Sequence, residues 1–319
     1  MIEPIELEAI VPQTLAGARL DQVATELFDR FSRSRLQQWI KDGELLVDGK
    51  SCRPRDKLFG GERLTVRTEL QAEGEWSAEA ISLDIVYEDD DILVLNKPVG
   101  LVVHPAAGNQ QGTLLNGLLH HLPANELIPR AGIVHRLDKD TSGLMVVAKT
   151  LAAHQSLIKQ LQARTVSREY LAIVQGAMTG GGTVDKPMGR HPQARTKMAV
   201  VDFGGKEAIT HYRVLERFPA HTYIRVKLET GRTHQIRVHM ASIGYPLVGD
   251  ATYGGRLKFP KGASLELHDA LRGFRRQALH ATRLALIHPI TGEPMEWQVP
   301  PPEDFRELLS VLQFDAREQ

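Results

Sequence analysis

The chain has 319 residues, 42% of them hydrophobic and 24% charged, which fits a globular protein of about two domains. No stretch approaches the ~20 consecutive apolar residues of a membrane-spanning helix, and the first residues, with Glu3, Glu6 and Glu8, lack the basic start and apolar run of a secretory leader, so a cytoplasmic location is expected. The single cysteine, Cys52, excludes an internal disulfide and a multi-thiolate zinc site, and no structural metal is expected.

The 39 Lys and Arg and the 39 Asp and Glu cancel, but they are segregated along the chain. Residues 17–67 carry 11 bases against 8 acids, residues 68–92 carry 9 acids and no base, and residues 93–319 carry 28 bases against 19 acids. Two basic blocks flanking an acidic one point to a polyanionic partner, because neutralised phosphates release their counterions. A random scatter of solvated surface charge is the alternative reading.

In the first block, Leu20, Val23, Ala24, Leu27 and Phe28 recur at helical spacing. Ser32 can cap a second helix with Leu36, Trp39 and Ile40 inward and Gly43 at its end. Leu45-Leu46-Val47 followed by Asp48-Gly49 predicts a short hairpin. Arg33, Arg35, Lys41, Lys50, Arg53 and Arg55 gather at the helix ends and the turn, as a basic face. The acidic stretch, about residues 69–91, reads as the join between a domain at 1–75, with its core at 17–67, and a second at 76–319.

The second domain reads mostly as strand. Tyr223 to Leu228 alternates with period two, while residues 92–95, 144–148 and 170–174 are short apolar runs suited to central strands. Helical patterns are fewer, at about 113–120, 152–163 and 303–314. The fold class expected is therefore α+β, with a mixed, mainly antiparallel sheet.

The densest chemistry lies just before the strand at 144–148, in His135-Arg136-Leu137-Asp138-Lys139-Asp140-Thr141-Ser142-Gly143. Two carboxylates two apart beside three cations can present a nucleophile or base at a strand end. Asp140-Thr141-Ser142-Gly143 is by itself a good turn, which leaves Asp138 as the reactive candidate and glycosidase-like use of the two carboxylates as another possibility. His234 and His239, five apart in what reads as an alternating strand, face opposite ways and are not expected to share a metal. His135 is expected to pack or hydrogen-bond. Two loops, one with Arg190, Arg195 and Lys197 and the other with Arg256, Lys258 and Lys261, are rich enough in cations to clamp a phosphate backbone, and Arg272, Arg275 and Arg276 can extend that surface.

Residues 17–67 resemble the S4 RNA-binding domain in Gly17-Ala18-Arg19-Leu20-Asp21, Ser32-Arg33-Ser34, Ile40-Lys41-Asp42-Gly43 and Leu46-Val47-Asp48-Gly49-Lys50. The motif around Asp138 resembles the central motif of the RluA-type pseudouridine synthases. Asn96-Lys97-Pro98-Val99-Gly100 with His104-Pro105, Ser167-Arg168-Glu169-Tyr170 and Gly231-Arg232-Thr233-His234-Gln235-Ile236-Arg237-Val238-His239 are similar to that family's other motifs, in the same order.

The resemblance implies isomerisation of uridine to pseudouridine in RNA, without cofactor. It gives Asp138 the role of catalytic aspartate, by attack on C1′, addition to C6 or removal of the 2′ proton. It makes Arg232 the partner of that aspartate and places Tyr170 against the base. Arg136 fills the gap left by a flipped uridine, and Arg33, Arg35, Lys41, Lys50, Arg190, Arg195 and Lys197 contact RNA. The partner implied is large-subunit rRNA or the assembling 50S subunit, with 23S helix 69 the target. Sister enzymes act on other rRNA sites or tRNA, and a non-catalytic assembly factor would keep the same scaffold. No membrane is involved, and a monomer is expected.

Overall fold

Ile5, Leu7 and Ala9 alternate with Glu6 and Glu8, a period-two pattern that makes a strand with one face turned inward. In the computed structural model, which describes residues 3–29, 31, 33–70, 76–106, 109–194 and 196–318, this is β1 (Glu3–Ile10). It is followed by α1 (Leu20–Leu27), α2 (Arg33–Asp42), β2 (Leu45–Val47) and β3 (Arg63–Leu70). The strands form an antiparallel sheet in the order β1-β3-β2. Leu20, Val23, Leu36, Ile40, Leu45, Leu64 and Val66 close a small core between helices and sheet.

Inside this unit Asp21 is fully buried, and its carboxylate accepts from Arg19, from Arg33 at 2.6 Å and from Gln37 at 2.7 Å. Burial alone would raise its pKa, but these donors outweigh burial and hold it below the usual carboxylate value. Arg33, the first residue of α2, is thereby tied to α1 with its side chain still half exposed. Arg35 departs from the expected basic face: it is buried. At the i+2 position of a helix it points away from the side that carries Arg33. Lys41 and Lys50 are exposed as expected, whereas the Ser32 cap and Arg195 lie outside the described residues.

The rest of the chain contributes β4 (Ile85–Glu88), β5 (Ile92–Lys97), α3 (Leu114–His121), β6 (Ser142–Ala148), α4 (Leu151–Gln162) and β7 (Ser167–Gln175). Then come β8 (Gly182–Asp185), a hairpin of β9 (Met188–Arg190) and β10 (Met198–Val200), β11 (Ile209–Arg217) and β12 (His221–Leu228). Last are α5 (Gln235–Ser242), α6 (Leu265–Gly273), β13 (Leu279–Ile287), β14 (Pro294–Gln298) and α7 (Glu303–Glu318). Among the described residues nine strands form one sheet in the order β4-β5-β6-β13-β7-β12-β11-β8, with β14 also paired to β13. Only β6 and β13 run parallel, so the sheet is mixed and mainly antiparallel.

Alternation along the central strands sorts the core. Leu93, Leu95, Met145 and Val147 face Leu114, Leu115 and Leu118 of α3. Ile92, Val94, Leu144 and Val146 face Ala153 and Leu157 of α4. Leu171 and Ile173 lie under Leu267 and Leu271 of α6 and Phe305, Leu308 and Leu312 of α7. No helix among the described residues is long and apolar enough to cross a membrane.

The acidic stretch is less of a free connector than its charge suggests. Trp76 and Leu83 pack on the main core, and the Glu79 carboxylate accepts the Gly112 N–H at 3.0 Å. Glu88 pairs with Lys149 at 2.8 Å, and Asp89 with His288 at 3.0 Å. Partners from the second block thus hold this stretch, and Ile85–Glu88 within it is a strand of the large sheet.

β13 touches β6 only through His280 and Ala281 before β14 takes its place from Arg283 onward. At this fork Gly143 has φ +117°, and a Cβ there would stand 2.2 Å from the Ala281 carbonyl oxygen. Gly143→Ala is therefore expected to lower stability by about 3 kcal/mol or more, from steric overlap and backbone strain together. Urea unfolding measures this, and a loss below about 1 kcal/mol would contradict the close approach.

Candidate active site

The turn that carries Asp138 is held by its main chain. Thr141 N–H donates to the Asp138 carbonyl at 3.1 Å. The Lys139 carbonyl accepts from Gly100 N–H and from Lys97 Nζ, both at 2.9 Å, and the Asp140 carbonyl accepts from Arg276 Nη1 at 3.3 Å. Lys97 is fully buried, and its ammonium also donates to the carbonyls of Pro98 at 2.8 Å and Leu101 at 3.0 Å. Burial, only partly offset by Asp140 and Asp138, lowers its pKa to about 8. The Lys97-Pro98 motif thus acts as a clamp between two loops. Arg276 is likewise internal: it is buried in a two-point pair with Asp304 and does not extend the basic surface.

These contacts leave the Asp138 side chain free to face a cleft of about 550 Å³. Its Oδ2 accepts from Arg237 Nη1 at 2.9 Å. The remaining edge of that guanidinium makes a two-point pair with buried Asp250, Nε at 2.7 Å and Nη2 at 2.9 Å. Burial would raise the Asp250 carboxyl, but Arg237 and the N–H groups of Tyr253 and Thr252 hold it below its usual value. Arg237 opposes its own burial through Asp250 and Asp138 and is held protonated more firmly than usual. The result is a charged chain, Asp138–Arg237–Asp250, anchored at a backbone turn.

Here the structure corrects the sequence reading. The partner of Asp138 is Arg237, five residues beyond Arg232. Arg232 is exposed at the cleft mouth and donates its Nε to the Glu207 carbonyl at 2.9 Å. The segment expected to continue as an alternating strand turns instead into α5. His234 stands at its start with φ 56° and ψ 23°, and Gln235 accepts from Arg232 N–H at 2.9 Å and Thr230 Oγ1 at 2.8 Å. This turn swings Arg232 outward and brings Arg237 inward. His239 is buried between Thr210 Oγ1 at 2.9 Å and the Lys186 carbonyl at 3.0 Å, whereas His234 faces Asp138 at 3.8 Å.

Tyr170, on β7, is buried and lines the same cleft as Asp138. Burial and the nearby Asp138 raise its pKa against the opposing effect of Arg168, so the phenol stays protonated. Arg168, two residues before it on the same face of the strand, also lines the cleft, and its buried Nε has no hydrogen-bond partner among the described residues. Its proximity to Tyr170 follows from strand alternation, although its sequence motif singles out only the tyrosine. Arg136 is exposed at the rim and donates to Thr233 Oγ1 at 3.0 Å. His135 accepts the Val146 N–H at 3.1 Å, and burial together with Arg168 lowers its pKa to about 3, which makes it a fixed acceptor. Lys197 donates to the Thr252 carbonyl at 3.2 Å and Arg190 is exposed; both lie at the turn end of the β9–β10 hairpin, and neither lines the cleft.

A narrow carboxylate- and tyrosine-lined cleft with a cationic rim, set across a mainly antiparallel sheet, defines a class that comparison with known proteins resolves. The chain belongs to the RNA pseudouridylate synthase family, whose model matches residues 91–242, and is accordingly a pseudouridine synthase. It is 63% identical over 315 residues to the ribosomal large subunit pseudouridine synthase D of Pseudomonas aeruginosa, covering 99% of this chain and 98% of that one. To the protein of the same name from Escherichia coli K12 it is 54% identical over 319 residues, covering 100% and 98%. Among solved structures, human RNA pseudouridylate synthase domain containing 4 is similar at 27% identity and a TM-score of 0.55, over 72% of this chain and 92% of that one. Human RNA pseudouridylate synthase domain containing 1 is similar at 29% identity and a TM-score of 0.53, over 72% and 87%.

Proposed function

We propose that this enzyme converts uridine to pseudouridine in 23S rRNA, in the helix 69 stem-loop, with Asp138 as the reacting carboxylate. The observation that carries the reading of the site is the pairing of Asp138 with Arg237 inside the cleft. One oxygen is engaged by the Arg237 guanidinium, and the other faces the cleft. Full-length similarity to relatives named for the ribosomal large subunit supports the rRNA substrate. Tyr170, buried and protonated in the cleft, is suited to pack on the uracil ring. Arg136 at the rim is suited to fill the stack that a flipped base vacates. The reaction is an isomerisation and needs no redox or hydrolytic partner.

Residues 1–75 are proposed to act as an S4-type RNA-binding domain, with residues 76–319 as the catalytic domain. The enzyme is read as a cytoplasmic monomer. The exposed Lys41 and Lys50 are the cations of the N-terminal unit best placed to meet phosphates. Replacing both by alanine is expected to weaken RNA binding and to reduce the slope of log affinity against log salt by about 1.5, at about 0.7–0.9 per phosphate contact. The rate on saturating RNA should be unchanged, and an unaltered slope in filter binding would remove these residues from the interface.

Pseudouridine mapping of large-subunit rRNA, by carbodiimide modification and primer extension, tests the reaction and its target together. Stops are expected in the helix 69 loop with the native enzyme and not with Asp138→Ala. Pseudouridine at other positions would move the substrate, and an active Asp138→Ala variant would remove Asp138 from the chemistry.

A further inference from the structure

Arg237 occupies only one oxygen of Asp138. The other, Oδ1, faces His234 Nε2 at 3.8 Å. The second ring nitrogen, Nδ1, lies 2.8 Å from the Tyr253 hydroxyl. That hydroxyl also accepts the Met198 N–H at 3.0 Å, and because Nε2 faces a carboxylate that can only accept, the arrangement without opposed lone pairs has the hydroxyl proton donated to Nδ1. A neutral imidazole that accepts at Nδ1 carries its proton on Nε2, toward Asp138. Burial lowers the His234 pKa against the pull of Asp138 and Asp250, with Arg237 and Arg136 reinforcing burial, and this favours the neutral ring. Burial likewise raises the Tyr253 hydroxyl, which keeps its proton to donate.

The backbone gives a second, independent sign. His234 adopts a left-handed conformation that a side chain with a Cβ rarely takes, and such strain persists where the surrounding structure requires it. Tyr253 serves both flanks of Asp138. Its hydroxyl meets His234, its ring lies 5.1 Å from the Arg237 guanidinium carbon, and its N–H donates to Asp250 at 3.0 Å.

We infer that Tyr253 fixes His234 as its Nε2–H tautomer and that this N–H positions the open oxygen of Asp138 toward the bound uridine. The inference rests on Asp138 being the reacting carboxylate. His234 and Tyr253 are positioning residues, and the gap of 3.8 Å is of the kind that tightens when substrate enters a site.

The test uses the full-length protein and tritium release from 23S rRNA made with [5-³H]uridine, under single turnover at saturating enzyme. Tyr253→Phe and His234→Asn are each expected to slow the reaction by about tenfold to a hundredfold, a range set by misplacement of a reacting group. RNA affinity should stay within about twofold of native. The double variant should be no slower than His234→Asn, because Tyr253 acts through His234. ¹⁵N spectra of labelled histidine should show His234 protonated at Nε2 in the native enzyme, and a tautomer mixture in Tyr253→Phe, a change that a purely structural role would not produce. Native rates in Tyr253→Phe, losses that multiply in the double variant, or a native Nδ1–H tautomer would each overturn the inference. Should His234→Asn not fold, the rate and spectrum of Tyr253→Phe decide alone. Asp138→Ala separates the two levels: if it stays active the reading of the site fails, and if it is inactive while the other variants keep native rates only this inference fails.

Discussion

Replacing Arg237 by methionine is expected to abolish pseudouridine formation and to lower stability by about 3–5 kcal/mol, the usual cost of removing one partner from a buried ion pair. The guanidinium bridges two carboxylates, and the side chain of one of them, Asp250, has no solvent exposure. Its loss leaves Asp250 charged without its guanidinium partner in the interior and removes the cation hydrogen-bonded to Asp138. Arg237→Lys keeps the charge but not the fork that reaches both carboxylates at once, and should recover only part of either loss. Arg232→Ala is the counterpart. With its Nε on a backbone carbonyl at the cleft mouth, it is expected to leave stability within about 0.5 kcal/mol and to alter RNA binding more than the chemical step. Tritium release and denaturant unfolding of the pair decide between them. An inactive Arg232→Ala beside an active Arg237→Met would reverse the assignment made from geometry.

Lys97→Met is the second large effect. It leaves the carbonyls of Pro98 and Leu101 without the ammonium that caps them, and the Lys139 carbonyl with the Gly100 N–H alone. At about 1–3 kcal/mol for each of the two groups left unsatisfied, a loss of about 2 kcal/mol or more is expected. The Asp138 turn loses a clamp at the same time, so activity should fall even where the variant is folded. The pH dependence separates the ammonium from its packing. Its pKa is about 8 in the fold against 10.5 for an unhindered lysine. Between those values the unfolded chain holds the proton that the native state has released, so the native state gains stability as pH rises. The advantage of the native enzyme over Lys97→Met should therefore grow by about 1.4 kcal/mol per pH unit across that window and stay level below it. Unfolding at pH 7, 8, 9 and 10 measures the difference, and a flat difference would show that burial does not depress this lysine.

How much of this was readable beforehand depended on what each segment packs against. Strands β5, β6, β7 and β12 announced themselves because continuous apolar runs or strict alternation match burial on two faces or one. Helices α3, α4 and α7 carried apolar stripes and, for α3 and α4, threonine caps at Thr113 and Thr150. Helix α5 carried neither. Six of its residues, from Gln235 to Met240, are buried, so no polar face marks a helical period, and Ile236 and Val238 alternate as they would in a strand. That misreading hid the role of Arg237. The charge of residues 76–91 was visible in the sequence, but its partners Lys149, His121 and His288 come from distant parts of the chain. The turn that carries Asp138 was legible because it is local. Its surroundings were not, since Asp250 and Tyr253 reach it only through the tertiary fold.

The parallel contact between β6 and β13 also governs when the enzyme comes into being. Ser142 meets His280 across 138 residues of chain, and Asp138 meets Arg237 across 99. Pairings at such separation form late, because a long loop must be closed before the contact returns any free energy. During synthesis at about 5–20 residues per second, Asp138 emerges roughly 5–20 s before Arg237. For that interval a growing chain has its carboxylate but neither the cation nor the strand that completes the cleft. Over that interval the nascent chain has only part of the cleft, although the ribosome that makes it carries the kind of RNA on which the finished enzyme is proposed to act.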